Sequence, residues 1–154
     1  MTRKLTLCVF LLIMAGWIAP MHWAQAPASG QATILRAEAE ERAALKSIRT
    51  LNTALAMYHA AEPAKGYAAT LKELGPEGKE YIEETLASGT KSGYKFDYRP
   101  ESVPAGTPVE HYTIVARPVQ LLVAGEKSFF TDETGAIRFT TENRAAKPTD
   151  PPIK

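Results

Sequence analysis

From Ala32 to Ala61 the chain contains neither glycine nor proline, and alanine, leucine, glutamate, arginine and lysine dominate. Such residues lose little side-chain freedom in a helix, so the segment predicts one unbroken rod of roughly 45 Å. Its apolar positions, Ile34, Ala37, Ala44, Leu45, Ile48, Leu51, Leu55 and Tyr58, recur at three- and four-residue spacing and draw one stripe down one side. The stripe is richest in its second half. The first half carries Glu38, Glu40 and Glu41 near the positive end of the helix dipole, followed later by Lys46 and Arg49. The rear, from Leu45, is therefore expected on a core, and the front, Arg36 to Arg42, is expected to project toward solvent or a partner.

Pro63 and Gly66 end the helix and open a connector. Thr70 and Glu73 have capping-box spacing before the Gly75-Pro76 stop, which predicts a single short turn over Thr70 to Leu74. A second short helix is expected over Glu80 to Ala87. Past Gly93 the period changes to two: Tyr94, Phe96 and Tyr98 alternate with Lys95, Asp97 and Arg99 as in a half-buried strand. A loop with Pro100, Pro104, Gly106 and Pro108 leads to a second strand through Tyr112, Ile114 and Ala116. Leu121 to Ala124 is short and apolar. Lys127 to Thr131 and Ala136 to Thr141 then flank a turn in which Gly135 supplies the positive φ of a tight hairpin.

The expected architecture is α+β: a long N-terminal helix packed on a four-stranded antiparallel meander, with a short helical connector. Each layer has one apolar face, and each needs the other to cover it. Phe129 and Phe130 cannot both face inward on a regular strand, so one is expected outside as a contact point, unless a bulge intervenes. Residues 144 to 154, with three prolines and a lone Ile153, read as a disordered tail.

Upstream, Arg3 and Lys4 precede an acid-free apolar run, Leu5 to Ala19, followed by small residues at Ala24, Ala26 and Ala28. This is the layout of a secretory signal peptide, with cleavage expected after Ala28; the alternative is an uncut anchor, although the run is short for a bilayer span. The predicted organisation is 1–28 leader, 29–143 α+β domain and 144–154 tail. Removing the leader takes away Cys8 and both tryptophans and leaves 16 bases against 17 acids, a net charge of −1. A chain so balanced offers no bulk charge for nucleic acid. Without cysteine the mature domain has no disulfide and no thiol chemistry.

Several stretches together resemble type IV pilins and the pseudopilins of type II secretion. They are Ser47-Ile48-Arg49-Thr50-Leu51-Asn52-Thr53-Ala54, Gly66-Tyr67 followed by Leu71 and Leu74-Gly75, Ala87 to Tyr94, and the hairpin from Ser128 to Phe139. The resemblance covers roughly Arg36 to Asn143 and implies a pilin-like globular domain. The prepilin cleavage pattern is not matched: Arg3-Lys4-Leu5-Thr6-Leu7-Cys8 lacks the glycine before the apolar segment and the glutamate at its fifth position. Pro20 and Pro27 also interrupt the continuous apolar helix of a pilus core. A soluble, secreted relative reconciles the two.

Candidate chemistry is sparse. His59, beside Tyr58 and Glu62, and His111, opening the second strand, are the histidines of the mature chain; capping or solvent exposure explains each better than catalysis. Asp132 and Glu133 are adjacent carboxylates in the last hairpin, where an aspartate ordinarily bonds its own backbone. Some pseudopilins hold calcium near their C-terminal strands, so the resemblance leaves room for a weak site here, but the alternating ladder of a strong oxygen cage is missing. Ser88 to Gly93 lacks the order of a phosphate-binding loop and reads as a turn. No catalytic residue, metal or cofactor is expected. The expected function is non-enzymatic protein–protein interaction at the cell envelope, with pilus or secretion-system subunits among the partners, no nucleic acid, and a membrane only if the leader stays. The alternative is a small periplasmic ligand-binding or inhibitor domain using the loop Pro100 to Pro108.

Overall fold

The structure, a computed structural model, describes residues 29–123 and 126–153; the leader therefore lies outside the described residues. Helix α1 spans Ser29–Ala61 as one unbroken element. After a 3-10 turn, Leu71–Leu74, and a single helical turn, α2 (Glu84–Ala87), come five strands: β1 (Thr90–Lys91), β2 (Tyr94–Pro100), β3 (Tyr112–Pro118), β4 (Ser128–Asp132) and β5 (Arg138–Thr140). They form one antiparallel sheet in chain order, and α1 lies against β3 and β4.

The mutual cover expected of the two layers is present. Ile48, Leu51, Leu55 and Tyr58 are buried against Tyr94, Phe96, Tyr112, Ile114, Ala116 and Phe129. Along the register Phe96, Ala116, Phe129 and Phe139 face one another across four strands, and this is the sheet's inner face. Hydrogen bonds pin the layers where tyrosine hydroxyls and an asparagine must enter the core. Tyr112 donates to Asn52 Oδ1 at 3.2 Å, and Asn52 Nδ2 donates to Thr131 Oγ1 at 3.0 Å. Tyr58 donates to Glu73 Oε2 at 2.8 Å, which ties α1 to the connector, and burial with that carboxylate pushes the phenol up to about 12. Gly66 is forced: its φ is +74°, and a Cβ there would lie 2.2 Å from the Val109 carbonyl oxygen.

Four expectations are corrected. The sheet has five strands, because Ser92 and Gly93 both take positive φ and close a two-residue hairpin between β1 and β2. The helix expected over Glu80 to Ala87 shrinks to its last turn, since Glu80 sits at φ 57° and Tyr81 and Ile82 donate their N–H groups to the Leu74 carbonyl.

The two remaining corrections share one cause. Phe129 and Phe130 are both buried, with no bulge, because β4 pairs in regular register with β3 and β5. The outer face, where Phe130 points, is covered by the segment expected to be a disordered end. Ala146 is buried, Ala145 shares a depression with Val115, and Pro148 shares another with Phe130. Arg144 forks onto both carboxylate oxygens of Asp150 at 2.7 and 2.8 Å, and Lys147 N–H adds a third bond at 2.7 Å. Residues 151–153 then run beside β5, where Phe139 N–H donates to the Pro151 carbonyl and Ile153 N–H to the Ile137 carbonyl. Prolines suit a sheet edge because no ladder donor is required of them there. Ile153 closes the segment by packing on the core.

Candidate functional site

The structure separates the chemistry-bearing residues into small, partnered pairs. His59 Nε2 lies 3.4 Å from Glu110 Oε2, with its ring against Tyr67. His111 Nδ1 lies 2.8 Å from Glu133 Oε1, and this carboxylate raises the imidazole above its ordinary value. For Glu133, burial would raise the carboxyl, but hydrogen bonds from backbone N–H groups and from His111 outweigh it and hold it low. Asp132 behaves as a turn aspartate, accepting from both the N–H and the hydroxyl of Thr134. His111, Asp132 and Glu133 line one shallow depression of about 410 Å³ with Arg99 and Glu101, and His59 is not among its lining residues. Ser88 donates its hydroxyl to the Thr85 carbonyl and closes a turn. Among the described residues no group of three or more His, Cys, Asp or Glu side chains is placed to hold a metal ion.

A different feature has the character of a site. A groove of about 690 Å³ runs between the front of α1 and the C-terminal segment. Leu45, Phe129, Phe139 and Ile153 supply its apolar lining, and Glu38, Glu41, Arg42 and Lys127 its charged rim. The rim charges are paired. Lys127 donates to Glu41 through both its backbone N–H, at 2.9 Å, and its Nζ, at 2.5 Å. Arg42 and Glu38 sit 3.7 Å apart on the helix surface. The sequence signal for this groove was split between α1 and a tail assigned to disorder, so it could not be assembled from either alone.

Exposed apolar side chains lie on the front of α1 and on the loop after β3. Among the described residues the exposed large hydrophobics are Ile34, Leu35, Met57, Val119 and Leu121. All but Met57 belong to the front of α1 or to the loop after β3. These two regions meet through Gly93: a Cβ at Gly93 would lie 2.1 Å from Glu40 Oε2, and Val119 N–H donates to the Gly93 carbonyl at 2.8 Å. The expected attachment of α1 only from Leu45 onward is therefore too late. Ala37 and Ala44 are already buried, and only about the first two turns overhang.

Among the described residues no helix is long and apolar enough to cross a membrane. No protein-family model, curated protein or solved structure matches this chain. What stands is the architecture: a long N-terminal helix packed on an antiparallel sheet, the general arrangement of pilin globular domains.

Proposed function

We propose that this chain is an exported pilin-like protein whose work is non-enzymatic protein–protein interaction at the cell envelope, as an accessory to a pilus or secretion apparatus or as a soluble derivative. The observation that carries this is the charge-rimmed apolar groove beside the front of α1, where Ile34 and Leu35 are also left exposed. Exposed apolar side chains scattered singly are ordinary, whereas a cluster rimmed by charge marks a contact surface. The helix-on-sheet architecture and the leader-like run at Leu5 to Ala19 support the pilin-like and exported parts of the reading.

The ligand-binding alternative draws on the same groove. A small-molecule site ordinarily adds a few convergent polar groups to fix orientation, and here Glu41 and Lys127 are held on each other while Glu38 and Arg42 stay open on the helix surface. That favours a surface that receives another protein.

The test is site-specific photo-crosslinking in cells that export the protein, with the probe at Leu35, Arg42 or Met57. Discrete protein adducts from positions 35 and 42, and none from 57, are expected. Equal yields from all three, or none from any, would defeat the proposal.

A further inference from the structure

We infer that the front of α1 pairs antiparallel with the front of α1 in a second copy of this chain, about a two-fold axis near residue 40. This rests on the reading that this end is the interaction surface, and it names the partner. On α1, Leu35, Glu38, Arg42 and Leu45 follow one another at spacings of three, four and three, which places them in one straight stripe on the helix surface. Leu35 is 54% exposed, and Glu38, Arg42 and Leu45 line the groove.

The order leucine, acid, base, leucine is complementary to its own reversal. A two-fold axis demands such a surface, since each copy must present what the other receives. With the axis near residue 40, Leu35 of one copy meets Leu45 of the other, and Glu38 of one meets Arg42 of the other. The charges are free to make this exchange. Within one chain Glu38 and Arg42 are a loose 3.7 Å pair with side chains 55% and 69% exposed, so little holds them to each other. Glu41, beside the stripe, is held on Lys127 and half-buried, so its charge is already taken. Ile34 flanks the stripe and adds apolar surface on the side nearer the core. The contact from Leu35 to Leu45 runs about 15 Å, close to three helical turns. The groove floor at Phe139 and Ile153 gives the incoming Leu35 apolar neighbours beyond the helix itself.

The test is sedimentation velocity on the purified protein over a concentration series, with folding of each variant checked by urea denaturation. The wild type is expected to dimerise. Leu35→Asp, which removes two apolar contacts per dimer, should raise the dissociation constant on the order of 100-fold. Glu38→Arg and Arg42→Glu should each weaken the dimer roughly tenfold by setting like charges opposite one another. Mixing these two variants one to one should restore association, because the excess cations of one chain then face the excess anions of the other. A monomer at every concentration, or a dimer insensitive to Leu35→Asp and to mixing, overturns the inference. A monomer whose position-35 probe still crosslinks to a different protein in cells overturns self-pairing alone; a monomer with no adduct ends both readings.

Discussion

The two halves of α1 are built from similar residues and end in opposite situations. In the rear half Ile48, Leu51, Leu55 and Tyr58 are at most 3% exposed, and Asn52 hydrogen-bonds into the sheet. In the front half, residues from Gln31 to Arg36 are mostly open to water, Ile34 and Leu35 are half exposed, and attachment relies on Ala37, Ala44 and the Glu41–Lys127 bridge. Helix formation and helix docking are thus separate events. The first needs only good formers without a breaker; the second needs large apolar side chains facing a surface that can receive them. The front is helical without being fully covered, and that leaves surface for a partner.

The largest expected effect tests the rear. Leu51→Ala should destabilise the protein by about 2–5 kcal/mol, because the site is fully buried and walled by the sheet, whereas Leu35→Ala, measured at a concentration low enough to keep the chain monomeric, should stay within about 0.5 kcal/mol. Urea denaturation of both variants measures the contrast directly, and equal losses would break the comparison between the two halves. A smaller effect is expected at the polar link of the rear half. Asn52→Ala leaves the Tyr112 and Thr131 hydroxyls without their partner and should cost about 1–3 kcal/mol. Replacing Tyr112 by Phe together with Asn52→Ala should recover part of that loss, since one stranded hydroxyl is then gone.

The smallest effect sharpens the comparison from outside α1. Asp150 is held down from its ordinary 3.8 to about 2, chiefly by the Arg144 fork and then by the Lys147 N–H. A carboxyl whose folded value is depressed contributes stability above its unfolded value and loses it as the pH falls through its folded one. The contribution should therefore be full above about pH 4 and fade toward pH 2. Asp150→Asn should lower the urea midpoint at pH 7, and its gap from the wild type should narrow between pH 4 and pH 2. A gap that stays constant across that window would mean that the C-terminal segment holds without its fork.

Much of the fold was legible. The long helix, the rear stripe and four strands follow from breaker-free composition and two clear periods, and the Gly135 turn follows from the one residue type suited to its φ of +73°. The missed fifth strand is only two residues long, too short for a period; its one signal was the Ser92-Gly93 pair, which fits a hairpin turn. The tail was misread because its prolines count against regular structure in any local reading. Only the sheet edge at β5, with no ladder donor demanded of Pro151 or Pro152, makes them acceptable.

Phe130 shows the same divide. Alternation alone put Phe129 and Phe130 on opposite faces, and they are; it could not say that the outer face is covered too. The groove was illegible for a related reason, since its walls come from residues separated by roughly a hundred positions along the chain. By itself the amino-acid sequence determined which segments are helical or extended and which side of each is apolar, because those follow from interactions among near neighbours. Only the tertiary structure decided which apolar sides are covered and which are left open, because burial depends on what the remote parts of the chain bring to lie against them.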